Sequence, residues 1–273
     1  MPKKGRPRVV NIVHGYLFGS NTGFFRRTLF LACEKLLKNK TDVVMVMNRE
    51  DYRIAKRYDL ALEKVRTTLG MGASVPLAVQ SPEEIRKELG AEDAWVLTFV
   101  GELSDRKNQK MLISAMPNIK RNIPKAQLWL VGEGDARGEL EVLIDKLGVA
   151  SSVKLLGQKD NPCDFIRASD LYVSASSIEG MPFNIIEALG CGKTVIASDI
   201  KGHRDLIAEG ESGFLYPEGN MSLFVSKINA YKLGMISVSV DDVIAKYEKY
   251  EKSNVFEKTY SALKEELKLD TEA

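Results

Sequence analysis

Residues 95–135 read WVLTFVGELSDRKNQKMLISAMPNIKRNIPKAQLWLVGEGD, and this stretch decides the fold class. An apolar run at Trp95–Val100 precedes a segment near Asn108–Arg121 with apolar residues at helical spacing, and a second apolar run follows at Gln127–Val131. Short runs of this kind are typical of strands that are buried on both faces. The stretch therefore predicts a strand–helix–strand unit, and Pro117 predicts a kink or an early end of its helix.

The same alternation of short apolar runs and helical segments continues to Tyr216. The further predicted strands are Val153–Leu156, Leu171–Ser174, Thr194–Ser198 and Phe214–Tyr216. Because parallel strands are joined by crossover helices, this order predicts an α/β fold with a doubly wound parallel sheet.

A shorter α/β piece precedes the main sheet. Residues 9–58 predict only two strands and two helices, and two strands rarely form a stable domain alone. Gly70–Val79 is rich in small residues and predicts a linker. We therefore expect a partial N-terminal α/β domain at residues 1–74, a Rossmann-like domain at residues 75–235 and C-terminal helices at residues 236–273.

The composition of the 273 residues excludes several classes of protein. Thirty-nine basic and 37 acidic residues give a net charge of +2, which is too balanced to indicate nucleic-acid binding by bulk charge. No apolar run approaches the ~18 residues that a spanning helix needs. Three widely spaced cysteines fit a reducing cytosol, and two histidines exclude a multi-histidine metal site.

The strongest local signal is EGMPFNIIE at Glu179–Glu187, where a predicted strand ends and a helix begins near Pro182. In open parallel sheets, ligands bind outside the carboxyl ends of the strands. The free N–H groups of Phe183 and Asn184 would form an anion site there. Glu187, one turn into the helix, could accept two hydrogen bonds from a sugar diol. The alternative is a helix with an acidic first turn and a surface glutamate.

Three weaker signals also follow predicted strands. Gly101–Asn108 carries Arg106 and Lys107, which could face a diphosphate or could be ordinary solvated charges. Gly132–Asp135 (GEGD) is a glycine turn that either contacts a ligand or only permits a tight connection. His14 directly follows a strand and is a site candidate, with a structural histidine as the alternative.

Taken together, the motifs resemble those of family 4 glycosyltransferases with the GT-B fold. The resemblance depends on VGELSDRKN at Val100–Asn108, LWLVGEGD at Leu128–Asp135, EGMPFNIIEA at Glu179–Ala188 and GKTVIASDIKGHRDLI at Gly192–Ile207, in the family's order. The spacing of the two glutamates in the third motif is the most specific mark. The subgroup that the chain resembles makes capsule or exopolysaccharide, and the main domain is similar to the family's C-terminal, donor-binding domain.

The resemblance implies a site for a nucleoside-diphosphate sugar. Lys107 would contact the diphosphate, Arg106 would replace an arginine whose usual position holds Glu102, and Glu187 would hold the ribose hydroxyls. The implied donor-binding residues are Arg106, Lys107, Gly132, Gly180, Met181, Pro182, Phe183, Asn184 and Glu187. The implied catalytic residues are His14, Glu179 and Lys107.

The implied reaction is retaining transfer of a sugar, with a uridine diphosphate sugar as the expected donor, to a saccharide or lipid-linked hydroxyl acceptor. No metal or other cofactor is implied, and no nucleic-acid partner is expected. Two other functions remain open. One is a non-catalytic or partner-dependent nucleotide-sugar-binding module, and the other is a nucleotide-sugar epimerase of the same fold.

The N-terminal region departs from the family pattern. MPKKGRPRVVNIVHG resembles the middle of the family's N-terminal, acceptor-side domain, so we expect a fragment, a remnant or half of a split enzyme. The apolar and basic residues from Phe24 to Leu37 suit an interfacial helix on the cytoplasmic face of a membrane. The alternatives are a core helix of the N-terminal domain and a surface buried in a homo-oligomer or against a complementing chain.

Overall fold

The structure is a computed structural model that describes residues 6–19 and 22–267. In chain order its strands and helices are β1 (Val10–Val13), α1 (Phe24–Lys38), β2 (Val43–Val46), α2 (Arg49–Arg57), β3 (Lys64–Thr67), α3 (Pro82–Glu88), β4 (Trp95–Val100), α4 (Gln109–Asn122), β5 (Ala126–Val131), α5 (Arg137–Leu147), β6 (Val153–Gly157), α6 (Pro162–Ala168), β7 (Leu171–Ser174), α7 (Phe183–Gly190), β8 (Val195–Ser198), α8 (His203–Leu206), β9 (Gly213–Tyr216), α9 (Met221–Lys232), α10 (Val240–Glu248) and α11 (Lys252–Leu267).

These elements form two compact units. The larger unit comprises Ala73–Ile178 and Pro182–Glu248. The smaller unit comprises the described residues up to Gly72, the short segment Glu179–Met181, and those from Lys249 onward. The chain therefore leaves the larger unit for three residues directly before α7.

The larger unit contains a six-stranded sheet in the order β6-β5-β4-β7-β8-β9, and every pairing is parallel. This confirms the predicted doubly wound α/β fold. The strand order reverses between β4 and β7, which pair through Leu97 with Leu171 and Thr98 with Tyr172. Such a reversal opens a crevice at the carboxyl ends of the two strands, and ligands of open α/β sheets bind there.

The core of this sheet explains why the strands form. All six residues of β4 and all four residues of β7 are buried, as expected for central strands that are covered on both faces. The hydroxyl of Tyr172 donates to the carbonyl of Val100 at 3.2 Å and accepts from its N–H at 3.1 Å. The last residue of β4 is therefore held in place from the neighbouring strand.

Helix α4 corrects one expectation. It continues through Pro117 to Asn122, so the predicted early end is wrong. The residues on its inner face, Leu112, Met116 and Ile119, are almost completely buried in the core. Their packing stabilises the helix beyond the proline, although proline removes one backbone hydrogen bond.

The smaller unit contains a three-stranded parallel sheet, β1-β2-β3. Strand β3 was not predicted from the sequence, because in KVRT only Val65 is buried and the apolar signal is weak. Its two cations pair with the end of α11: Arg66 Nη1 lies 2.9 Å from Glu265 Oε2, and Lys64 Nζ lies 3.0 Å from Glu266 Oε1. Strand β3 is therefore joined by ion pairs to α11, which is distant in the sequence.

Helix α1 turns an apolar surface to solvent. None of its residues is buried, so the expectation of a core helix is wrong for this structure. Only Phe30 and Leu31 pack against the core of the smaller unit. The exposed large apolar side chains, which we call the α1 stripe, are Phe24, Phe25, Leu29, Leu36 and Leu37, with Phe25 87% exposed.

Candidate functional site

The segment after β4, residues 101–108, is the basic loop predicted from the sequence, and a buried amide shapes it. Gln109 is 1% exposed at the start of α4. Its Nε2 donates to the carbonyl of Glu102 at 2.6 Å, and its Oε1 accepts from the N–H of Ser104 at 3.3 Å. Sequence reasoning missed Gln109, because a glutamine at a helix start has no distinctive pattern.

The two cations of the basic loop lie in different surroundings. Lys107 is only 8% exposed, so it is not an ordinary solvated lysine. Arg106 is exposed, and its Nη2 lies 3.2 Å from Glu102 Oε2 in an i, i+4 pair. Exposed pairs of this kind contribute little to stability and are easily rearranged. Because it is buried, Lys107 is held in a more defined position than Arg106.

Two connections join the basic loop and β4 to the segment that leads into α7. The backbone N–H and the Oγ of Ser177 donate to the carbonyl of Arg106 at 2.9 and 3.2 Å. Asn184 Nδ2 donates to the carbonyl of Val100 at 2.6 Å. The structure therefore brings the basic loop and the start of α7 together at the reversal of strand order.

The first turn of α7 has no anion of its own. Pro182 is the N-cap without a side-chain cap hydrogen bond, and no acidic residue lies in the first turn. The proposed alternative of an acidic first turn is therefore wrong. Helices leave their first N–H groups, here those of Phe183 and Asn184, without intrahelical acceptors. The positive end of the helix dipole lies at the same place and favours an anionic ligand.

Glu187 lies one turn further along α7 and is partly buried. Burial raises the pKa of its carboxyl above the usual glutamate value. A partly desolvated carboxylate gains more than an exposed one from hydrogen-bond donors such as the hydroxyls of a diol. Contact between Glu187 and the hydroxyls of a diol stays a prediction.

The glycine turn after β5 packs backbone to backbone against the basic loop. A Cβ on Gly132, whose φ is +138°, would lie 2.1 Å from the carbonyl oxygen of Gly101. A Cβ on Gly134 would lie 2.3 Å from the carbonyl oxygen of Leu103. Close approach thus accounts for both glycines, and contact between Gly132 and a donor stays a prediction.

In the smaller unit, His14 and Glu179–Met181 lie side by side. His14 is exposed after β1, and a Cβ on Gly180 would lie 1.8 Å from the His14 carbonyl oxygen. Glu179 and Met181 are buried, with exposures of 7% and 8%. Met181 packs on Gly70, since a Cβ there would lie 3.1 Å from the Met181 Cγ. Residues far apart in sequence are therefore brought together in this unit.

Two residues that sequence reasoning missed hold this arrangement. Asn48, the N-cap of α2, donates from Nδ2 to the carbonyl of Gly180 at 3.2 Å and to Asp51 Oδ2 at 2.8 Å. The same Asp51 oxygen accepts from the N–H of Tyr16 at 3.1 Å. An Asn followed three residues later by Asp is a recognisable helix-start signal, but it does not reveal the bond to Gly180.

Comparison with known proteins places the chain in a family. The profile described as "Glycosyl transferases group 1" matches residues 81–234, which is more than half of the chain. The chain belongs to the group 1 glycosyl transferases. The matched region includes the basic loop, the glycine turn and α7, and thus most of the motifs in which the sequence resembled this family.

Curated relatives of these glycosyl transferases match a longer part of the chain. The putative glycosyltransferase EpsD of Bacillus subtilis (strain 168) is 30% identical over 226 residues, which are 81% of this chain and 59% of the relative. An Escherichia coli UDP-Gal:alpha-D-GlcNAc-diphosphoundecaprenol alpha-1,3-galactosyltransferase is 26% identical over 82% of this chain and 60% of its own length. The chain thus spans only part of the length of these relatives.

Solved structures show the same fold. Anabaena HepE, crystallised with UDP and glucose, superposes with a TM-score of 0.82 at 21% identity, covering 94% of this chain and 72% of that chain.

Within residues 6–19 and 22–267, no group of three or more His, Cys, Asp or Glu side chains is arranged to hold a metal ion. None of the helices in those ranges is long and apolar enough to cross a membrane.

Proposed function

We propose that this chain carries the donor-binding part of a retaining glycosyltransferase, which moves a sugar from a nucleoside-diphosphate sugar to a hydroxyl acceptor in polysaccharide or glycolipid synthesis. One observation carries the proposal. The basic loop, with its buried Lys107, and the first turn of α7, which has no acidic residue, lie together where the strand order reverses. Family membership adds the reaction class. The region we assign to the donor is the predicted domain at residues 75–235.

The chemistry follows from charge. When the nucleoside diphosphate leaves, negative charge develops on its phosphate oxygens. Lys107, Arg106 and the N–H groups of Phe183 and Asn184 provide fixed positive charge and dipoles, and one such donor contributes ~3–4 kcal/mol in known oxyanion sites. This proposal assigns the charge stabilisation to these groups rather than to a metal ion or other cofactor.

The nucleotide that we propose is uridine diphosphate, with Glu187 accepting hydrogen bonds from the ribose hydroxyls. The HepE structure contains UDP, and the Escherichia coli relative is named after a UDP-sugar. For the smaller unit we propose that His14 and Glu179 act on the donor sugar, together with the backbone at Gly180 and the side chain of Met181.

For the acceptor we propose a saccharide or a lipid-linked hydroxyl. The names of two relatives refer to lipid-linked substrates, a diphosphoundecaprenol and a phosphatidyl-myo-inositol. The α1 stripe, on a helix that carries Arg26, Arg27 and Lys35, has the apolar and basic composition that binds an anionic bilayer. We therefore propose that the chain acts at the inner face of the membrane through α1.

Nucleotide titration of the Lys107→Ala variant tests the donor site. Hydrogen bonds to charged groups contribute about 1.5–3 kcal/mol, so we expect the variant to bind UDP about 10–100-fold more weakly by calorimetry. The matched control is Lys110→Ala, which removes an exposed lysine three residues away that pairs with Glu139. Equal affinity of Lys107→Ala and the unmodified chain would contradict the donor site.

A second function is a binding module that needs a partner for transfer. A complex of GtfA with GtfB is among the similar structures, with a TM-score of 0.75. Transfer or slow hydrolysis of a UDP-sugar by the isolated chain would exclude this second function, whereas UDP binding without turnover would favour it.

A further inference from the structure

Two cysteines that are 28 residues apart meet beside Glu187. Cys163 lies in the first turn of α6 and is 1% exposed, whereas Cys191 is the half-buried C-cap residue of α7. The Sγ of Cys191 lies 3.8 Å from the carbonyl oxygen of Cys163, so the two cysteine residues are in contact. The backbone N–H of Cys191 donates to the carbonyl of Glu187 at 2.9 Å.

The two thiols have different acidities. The hydrogen bond from Cys163 lowers the pKa of Cys191, and the positive charges of Arg167 and Lys193 act in the same direction. The same hydrogen bond, together with burial, raises the pKa of Cys163. A partly accessible, acidified thiol beside a second thiol is the arrangement found in cysteines that respond to oxidants.

We propose that Cys163 and Cys191 are a peroxide-sensitive pair that closes to an intramolecular disulfide. The Cys191 thiolate attacks one oxygen of a hydroperoxide, the O–O bond breaks, and the other oxygen leaves as alcohol or water after protonation. The sulfur of Cys163 then attacks the sulfenic acid on Cys191. The S–S bond forms, the S–O bond breaks, and the hydroxide leaves as water with the proton of Cys163. Two electrons pass from the two sulfurs to the hydroperoxide.

The disulfide would disturb the donor site. A disulfide bond is about 2.05 Å long and holds the two Cβ atoms about 3.5–4.5 Å apart, so it constrains the end of α7 against the start of α6. Glu187 lies in the turn that ends at Cys191, and we expect this constraint to act on its position. This regulatory part rests on the proposed function, because it assigns donor binding to Glu187. The thiol chemistry itself does not depend on that assignment.

The experiment uses a Cys33→Ser background, which leaves only the two cysteines of the pair, since the chain has three. After treatment with hydrogen peroxide, we expect both thiols to be lost together and non-reducing peptide mapping to find one cross-link, Cys163 to Cys191. Dithiothreitol should restore both thiols. In the same background, Cys163→Ala should stop at a dimedone-reactive sulfenic acid on Cys191, and Cys163→Ser provides a second variant if alanine impairs folding.

The outcomes separate the two parts of the inference. Oxidation of Cys191 to a sulfinic acid while Cys163 stays a thiol, or resistance of both thiols to peroxide, overturns the pair. UDP affinity is then measured on the reduced and the disulfide form, and we expect at least a tenfold loss on oxidation. Equal affinities overturn the regulatory coupling. If the reduced chain fails to bind UDP, the proposed function fails while the disulfide result stands.

Discussion

At the residue scale, Glu187 carries a carboxyl group whose environment opposes its charge. Burial raises its pKa, which means that the folded chain binds the proton more readily than the unfolded chain. Protonation of Glu187 stabilises the folded chain, and this stabilisation is fully present at pH values below the pKa of the unfolded state, 4.5. It is lost as the pH rises through the higher pKa of the folded state. A partly buried acid of this kind therefore reduces the stability of the folded chain at neutral pH.

We predict that Glu187→Gln raises the thermal unfolding temperature at pH 7, because glutamine resembles the protonated acid at every pH. The gain should shrink as the pH falls and vanish below about 4.5, where the native glutamate is also protonated. The same variant should bind UDP more weakly. Circular dichroism melts between pH 4 and 8 measure the stability effect, and calorimetry measures the affinity.

The control for this prediction is Glu265→Gln, a change at a carboxyl whose pKa is lowered by its hydrogen bond to Arg66. Ionised Glu265 stabilises the folded chain at pH values above the pKa of its unfolded state. This stabilisation is lost as the pH falls through the lower pKa of the folded state. This variant should therefore lower the unfolding temperature at pH 7, opposite in sign to Glu187→Gln. Shifts of the same sign in both variants would refute our account of Glu187.

At the element scale, the position of the basic loop depends on its close contact with the turn after β5. The N–H of Leu103 donates to the carbonyl of Glu133 at 2.9 Å, and the N–H of Gly132 donates to the carbonyl of Gly157 at 2.8 Å. Two loops and the end of β6 are thus joined through backbone atoms. A side chain at Gly132 would separate them.

We predict that Gly132→Ala destabilises the chain by more than about 1 kcal/mol, because the new Cβ meets backbone and φ is positive. Gly138→Ala is the matched control. It lies in the first turn of α5, a Cβ there has open space, and we expect it to stabilise by about 0.4–1 kcal/mol. Urea unfolding measures both variants. Similar stabilities for the two would show that the contact between the turn and the basic loop does not constrain the structure.

At the scale of the whole molecule, the α1 stripe is a large apolar surface on the described chain. Such a surface needs a partner, because contiguous apolar patches on soluble proteins are usually interaction sites. A second copy would bring the arginines and lysines of two α1 helices together and is disfavoured by charge repulsion. An anionic bilayer offers both an apolar interior and a negative surface.

We predict that the chain co-sediments with vesicles that contain phosphatidylglycerol, and that added salt weakens this binding. Phe25→Glu should reduce the partition about 10–100-fold, since burial of a phenylalanine contributes about 1.5–3 kcal/mol. Phe256→Glu, the same change at an exposed phenylalanine of α11, should leave it unchanged. Absence of vesicle binding, or equal losses in both variants, would instead favour a complementing protein chain on the stripe.

Local sequence patterns were sufficient to predict a strand where most of its residues are apolar. The strands β4 to β9 were all predicted within one or two residues. The patterns failed where an element depends on distant residues. Strand β3 shows only one buried side chain and pairs with α11 across about 200 residues, and α4 passes through Pro117 because its inner face is buried.

The amino-acid sequence by itself determined the parallel α/β class and the set of loops at the carboxyl ends of the strands, because hydrophobic periodicity is a local property of the chain. Only the tertiary structure decided what each side chain in those loops does. Arg106 and Lys107 are neighbours with the same charge, yet one is exposed and paired with Glu102 while the other is buried. Cys163 and Cys191 appear unrelated in sequence, yet they touch. Burial and pairing of this kind arise from packing between elements that are distant in the sequence, so local sequence patterns do not predict them.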